Sequence, residues 1–314
     1  MDMPHRPLGQ SGLDVSRLSL GSWRTFERIS KEEGLAVMRA ARDAGITFLD
    51  DARYNDETGH APIPTGYSEV LFGELFRAAG WPRDTTIVCN KLWWEFWPEQ
   101  TAARELDESL GRMGLDHIDV IYANVPPDAM PLDQMVHDVV DLVTAGRARA
   151  WAIVNWPGEK LLELSRIATR DGLPQPCAAQ LPYSLVRRDW VEGDEMQAAL
   201  AASGAPVVAS YSLAGGVLSG KYDTDPQSGR AAGSLDQPMY ASAAVAARRL
   251  GDLARRLDTK SAPLAVAFAL ANRDVATVLF GATKPEQVAD NVAALELLAR
   301  LSHEDLTELA SIGV

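Results

Sequence analysis

Along the chain, short runs of β-branched and apolar residues alternate with longer segments whose apolar positions recur at the ~3.6-residue period of a helix. The runs are VSRLSLG (15–21), ITFLD (46–50), TTIVCNK (85–91), HIDVIYAN (117–124), RAWAIVN (149–155), CAAQL (177–181), PVVASY (206–211) and VATVLFG (275–281). Between them, KEEGLAVMRAARDAG places Val37, Met38, Ala41 and Ala44 on one helical face, and PEQTAARELDESLGRMG repeats the pattern. Gly45 and Gly114 follow the last periodic positions, where a glycine ends a helix.

Strands alternating with helices predict βαβ units and a parallel sheet. Eight such units with no linker or composition break predict a closed (β/α)8 barrel, one domain over residues 1–314. A doubly wound sheet would carry a Gly-rich phosphate turn after its first strand. The sequence there is LGSWRTF, which is not that turn. The longest irregular stretch, KYDTDPQSGRAAGSLDQPMY, follows the seventh run and is too polar for core. It is expected to be a mobile active-site loop, because long loops in compact domains are usually functional or disordered.

Composition narrows the classes. A net charge of −13 disfavours nucleic-acid backbones, and no basic stripe compensates it. No run of ~18 apolar residues exists to span a membrane, and the first residues lack a signal-peptide core, so a cytoplasmic location is expected. Cys89 and Cys177 lie far apart without ligand spacing, which fits neither a metal site nor a disulfide framework. Cys89, inside a strand, is expected to be a small core residue.

In such barrels chemistry sits at the C-terminal strand ends. Those ends carry Trp23, Asp50, Lys91, Asn124, Asn155, Gln180 and Tyr211, followed by GATKPEQVADN after the last strand. Asp50 and Lys91, on adjacent strands, can pair. Tyr54 lies four residues past Asp50, and a nearby ammonium would favour phenolate and lower a pKa that starts near ~10. A tyrosine so tuned can give a proton to a carbonyl oxygen. The same residues also read as a structural salt bridge with a loop tyrosine packed on it.

The motifs PLGQSGLDVSRLSLGSW, GITFLDDARY, NKLWW, IDVIYANVPPD, YSLAGGVLSGKYD and GATKPEQVADN together resemble the aldo-keto reductase superfamily over essentially the whole chain, closest to the voltage-gated potassium channel β-subunits and their bacterial relatives. The expected fold is thus α/β: a (β/α)8 TIM barrel with an N-terminal β-hairpin and an extra C-terminal helix. The resemblance implies NADP(H) bound in extended form and reduction of an aldehyde or ketone. It makes Tyr54 the proton donor, Lys91 its partner, Asp50 the group holding Lys91, and Asn124 the residue standing where most of the superfamily has histidine. It also implies a cofactor site. Ser22, Trp23 and Asp50 belong to it, Asn155 and Gln180 bond the carboxamide, and Tyr211 stacks on the ring. Ser212, Leu213 and Lys221 line the pyrophosphate, and Arg230 lies in the covering loop. Gly281, Thr283, Gln287, Asp290 and Asn291 hold the adenosine end, with Lys284 at a 2′-phosphate. Trp23, Trp93 and Trp94 are expected to wall the substrate pocket.

Several positions depart from the family pattern. The spacing D-x-A-x-x-Y is one residue shorter in DDARY, with Asp51 expected to point away from the barrel interior. NDETGHAPIPT is an insertion expected to border the pocket, and Tyr67 is a backup donor. Val154 replaces a usual serine, and YSLAGG lacks a usual proline. Three functions use this set of residues: an NADP(H)-dependent carbonyl reductase, a nicotinamide-nucleotide-binding regulatory subunit with slow residual activity, and an NAD-dependent sugar or alcohol dehydrogenase. The expected partner is a small carbonyl or alcohol substrate, and the sequence is compatible with oligomerisation.

Overall fold

A computed structural model describes residues 2–313 apart from 224, 226, 228 and 230, with residues 238 and 239 described for backbone only. The chain begins with an antiparallel pair, β1 (His5–Pro7) and β2 (Asp14–Ser16). Eight strands then close a parallel barrel: β3 (Leu18–Gly21), β4 (Phe48–Asp50), β5 (Ile87–Leu92), β6 (Ile118–Ala123), β7 (Ala148–Val154), β8 (Ala179–Pro182), β9 (Val207–Ser210) and β10 (Val275–Phe280). The run at 15–21, read as one strand, is two. Arg17 breaks it, because its buried guanidinium turns away to donate to the carbonyls of Leu270 and Val275, each at 2.5 Å.

The helices are α1 (Lys31–Asp43), α2 (Tyr67–Ala78), α3 (Ala102–Met113), α4 (Leu132–Thr144), α5 (Gly158–Asp171), α6 (Asp189–Glu192), α7 (Asp194–Ser203), α8 (Pro238–Arg256), α9 (Ser261–Ala271), α10 (Pro285–Arg300) and the C-terminal α11 (His303–Ser311). Their starts follow local chemistry. The Ser30 hydroxyl accepts from Glu33 N while the Glu33 carboxylate accepts from Ser30 N, a reciprocal cap on α1. Thr101 caps α3 in the same position, and Gly114 ends it at φ +66°. α9 is apolar on every face because Pro263 through Leu270 are all buried. None of the described helices is long and apolar enough to cross a membrane.

Alternation along the strands sorts their side chains into two layers. Leu49, Val88, Leu92, Ile121, Ala123, Trp151 and Ile153 face the helices, in the larger apolar cluster. Phe48, Ile87, Cys89, Val120, Tyr122, Ala150, Ala152 and Val208 fill the barrel interior. Leu8, Leu13 and Val15 from the hairpin join that interior cluster and close the lower end. The plug sits tight: a Cβ at Gly9, whose φ is +58°, would lie 2.6 Å from the Cys177 carbonyl oxygen.

Candidate active site

Moving up the same inward face, the positions at the upper ends of several strands change from apolar to polar. Phe48 gives way to Asp50, Ile87 and Cys89 to Lys91, Val120 and Tyr122 to Asn124, and Ala178 to Gln180. These polar ends meet one another. Lys91 Nζ donates to Asp50 Oδ2 at 2.7 Å, in a pair that is almost wholly buried. It also lies 3.3 Å from Tyr54 Oη and 3.4 Å from the Asp51 carbonyl oxygen. Gln180 Nε2 donates to the other Asp50 oxygen at 3.2 Å. The Lys91 ammonium also faces the Tyr122 ring, 5.6 Å from its centroid.

Burial opposes the Lys91 charge, but the pull of Asp50 and then Tyr54 outweighs it and holds this ammonium above the ordinary lysine range. Tyr54 goes the other way from the sequence expectation. Burial pushes its phenol well up; Lys91 pulls it down, and the carboxylates of Asp50 and Asp51 add to the rise. Desolvation of the phenolate is the stronger effect, so Tyr54 is a firmly protonated phenol beside a fixed cation.

The shortened segment delivers Tyr54 through a tight turn. Tyr54 N donates to the Ala52 carbonyl at 2.9 Å, and Ser68 Oγ donates to the same carbonyl at 2.6 Å. The insertion then returns antiparallel, with Asn55 bridged to Thr65 and Asp56 N bonded to Pro64 O at 2.8 Å. The Asp56 carboxylate gathers the loop by accepting from Thr58, Gly59 and Ala61, and these bonds, those from Thr58 first, hold its pKa down at about 2. Glu57 ties the loop to the segment after β3, 2.5 Å from Arg24 Nε and 3.1 Å from Arg28 Nη2.

Asp50, not Asp51, meets Lys91 with its carboxylate. The Asp51 carboxylate is buried elsewhere and accepts from the Ser22 hydroxyl; burial and the neighbouring Glu69 push its pKa well up. Ser22, expected at the cofactor, is thus buried behind the site and is absent from the cavity lining. Trp94, expected in the pocket wall, is also core: it is buried, sits at φ +61°, and donates its indole N–H to the Asn124 carbonyl at 3.0 Å. The left-handed backbone turns Trp94 inward and leaves Trp93 at the pocket, edge-on to Tyr54 with centroids 6.1 Å apart. Tyr67, the backup donor, packs on the helix-facing core instead. The Asn124 amide donates to the Leu92 carbonyl at 3.0 Å, clamping β6 to β5 at the mouth.

A cavity of about 1510 Å³ runs from Asp50, Tyr54 and Lys91 across the strand ends to α10. Trp23, Trp93, Asn124, Asn155, Gln180, Tyr211, Ser212, Leu213 and Lys221 line it, followed by Gly281, Thr283, Lys284, Gln287, Asp290 and Asn291. Gly229, Ala232, Ser234 and Gln237 of the long irregular stretch line it as well, whereas Arg230 lies outside the described residues. A smaller cavity of about 200 Å³ opens over Tyr54 between Trp23 and Trp93. Of the six described non-glycine residues with positive φ, five lie around this mouth: Arg24, Trp94, Asn155, Tyr211 and Ala214. Strained backbone concentrates at functional sites.

The donor set fits an extended dinucleotide. Asn291 is buried at the far end of the cavity, and its Oδ1 has no hydrogen-bond partner among the described residues, which suits an amino group of a bound base. Thr283 and Lys284 precede α10, whose first N–H groups suit a phosphate. Sequence reasoning missed Arg187, whose guanidinium lies 5.0 Å from the Tyr211 ring centroid, and Tyr240, whose hydroxyl is 3.0 Å from that of Tyr211. Both line the cavity, but they come from outside the strand-end pattern.

Residues 17–313 match the model of the aldo/keto reductase family. A putative voltage-gated potassium channel subunit beta of Schizosaccharomyces pombe (strain 972 / ATCC 24843) is 30% identical, covering 99% of this chain and 93% of its own length. A probable voltage-gated potassium channel subunit beta of Oryza sativa subsp. japonica is 29% identical, covering 99% of this chain and 96% of its own.

Proposed function

The chain belongs to the aldo/keto reductase family, and we propose that it is a cytoplasmic, NADP(H)-dependent reductase of a small aldehyde or ketone, carried by a single domain over residues 1–314. The observation that carries this reading is the Lys91 ammonium, 2.7 Å from Asp50 and 3.3 Å from the Tyr54 hydroxyl, on the floor of a cavity open to both a cofactor and a substrate.

A bound nicotinamide would supply the hydride. Asn155 and Gln180 would hold its carboxamide and Tyr211 its ring. Ser212, Leu213 and Lys221 would hold the pyrophosphate. Gly281, Thr283, Gln287, Asp290 and Asn291 would hold the adenosine end, with Lys284 for a 2′-phosphate. Tyr54 donates the proton to the carbonyl oxygen. Its raised pKa keeps it protonated across the physiological range. The fixed Lys91 charge lowers the cost of phenolate as the proton leaves. Asp50, itself bonded by Gln180, keeps Lys91 charged and in place. The second amide hydrogen of Asn124 serves the carbonyl oxygen, and Trp23 and Trp93 restrict water.

Tyr54→Phe, assayed by nicotinamide absorbance over a panel of aldehydes, tests the reading. Loss of turnover supports it, and undiminished turnover overturns the role of Tyr54. The printed names of the two relatives favour a second reading, a nucleotide-binding subunit of a larger assembly. Tight NADPH binding with no turnover of any carbonyl would select it.

A further inference from the structure

The small cavity over Tyr54 has flat aromatic walls and a charged rim. Its lining is Trp23, Arg24, Glu27, Arg53, Tyr54, Asn55, Glu57, Trp93 and Glu95. The rim charges are matched in place. Arg53 pairs with Glu95 at 2.6 Å, and Glu57 lies 2.5 Å from Arg24 and 3.1 Å from Arg28. Arg24 is fixed further by its left-handed backbone, φ +52°, and by the Trp23 ring 5.0 Å beneath it. Glu57 comes from the insertion, in the loop that the Asp56 carboxylate gathers. One carboxylate therefore bridges two guanidinium groups at the entrance to the site, and Glu27, 4.0 Å from Arg28, balances the second charge.

We propose that Glu57 is a specificity-determining residue that makes this pocket select neutral, hydroxylated carbonyl compounds and discriminate against carbonyls carrying a carboxylate or phosphate. The inference rests on the reading of Tyr54 as the proton donor of this pocket. An anionic substrate would meet Arg24, Arg28 and Arg53 already paired, with the carboxylates of Glu27, Glu57 and Glu95 beside them. It would have to displace Glu57 to gain a cation, and like-charge juxtaposition is how a site rejects a ligand. A neutral polyol chain needs no such exchange. It can stack its C–H faces on Trp23 and Trp93 while its hydroxyls bond the paired rim.

The test is the ratio of kcat/KM for anionic over neutral substrates, which cancels any general loss of activity. Wild-type and Glu57→Gln proteins are assayed with NADPH on D-glyceraldehyde, D-glyceraldehyde 3-phosphate and succinic semialdehyde. The wild type is expected to favour D-glyceraldehyde over both anions by about tenfold, and Glu57→Gln to raise the anionic ratio by about tenfold, mainly through KM. The double variant Glu57→Gln/Arg24→Gln should lose much of that gain. A wild-type preference for the anions, or an unchanged ratio in Glu57→Gln, overturns the proposal. If the wild type reduces none of the three, the reductase reading fails on these substrates, and the charge question passes to calorimetric titration with D-glycerate. There, about tenfold tighter binding to Glu57→Gln supports the role of Glu57, and equal binding overturns it.

Discussion

At the lower end of the barrel the inward positions are Phe48, Ile87 and Val120, sealed by Leu8, Leu13 and Val15 from the hairpin. Two or four residues up the same strands they are Asp50, Lys91 and Asn124, each bonded to a named partner. The backbone geometry is the same at both ends, since side chains two apart share a face. Only the residue type changes. An apolar group at the lower end gains from burial alone, whereas a polar group at the upper end must have its hydrogen bonds completed. The lower end therefore carries stability through burial, and the upper end carries the chemistry of the proposed reaction.

The largest expected effect breaks the upper end without disturbing the lower. Tyr54→Phe removes one hydroxyl and should lower kcat by ~10²–10⁴-fold, the range of a lost general acid. Stability to guanidinium should change by no more than ~1.5 kcal/mol, because a single long hydrogen bond is lost. A stability loss as large as that of a core truncation would show that Tyr54 is chiefly a packing residue.

Asp50→Asn blurs the comparison on purpose, because it strands the Lys91 charge in a buried site. It should cost ~3–5 kcal/mol in denaturant unfolding and lower kcat as well, by less than Tyr54→Phe does. The pH dependence has a definite sign. The folded pKa of Lys91 lies above its unfolded value near ~10.4. The stability this pair contributes is thus complete below that value and falls as pH rises through the folded pKa. Tyr54, also raised, acts in the same direction. Wild-type unfolding followed above pH ~10 should show this decline, and Asp50→Asn should flatten it.

Leu8→Ala is the converse test. Leu8 is fully buried in the hairpin plug, so truncation should cost ~2–4 kcal/mol. The kcat at 25 °C should hold, because Leu8 lines neither cavity. A drop in kcat without loss of fold would mean that the lower end positions the site as well as supporting it.

The difference between the ends also explains what could be read in the sequence. Period-two runs and their polar last residues were legible, because alternation fixes the face on which Asp50 and Lys91 stand. The direction of the Tyr54 shift was not, because it depends on how completely the phenol is desolvated, and spacing carries no information on burial. Trp93 and Trp94 are neighbours of the same type; only the left-handed turn at Trp94, φ +61°, sends one to the pocket and the other to the core. Ser22 faces Asp51, a contact that required knowing how far β3 and β4 extend past each other. Arg187 and Tyr240 reach Tyr211 from distant segments, with no local pattern to announce them.

The smallest expected effect concerns Asn124, just past the upper end of β6. One of its amide hydrogens closes the strand end by bonding the Leu92 carbonyl, as a structural cap would. The other is free to serve a substrate oxygen in the proposed reaction. An amide does not titrate, so position 124 should contribute no break to the wild-type rate profile. Asn124→His substitutes a ring that can keep one hydrogen bond to Leu92 but ionises near ~6.5. A new break between pH ~6 and ~7 in kcat/KM, with less than about a tenfold change at its optimum, would place residue 124 at the reacting oxygen. An unchanged profile with an altered unfolding midpoint would confine Asn124 to the cap, and the upper end of β6 would then belong with the lower end of the barrel.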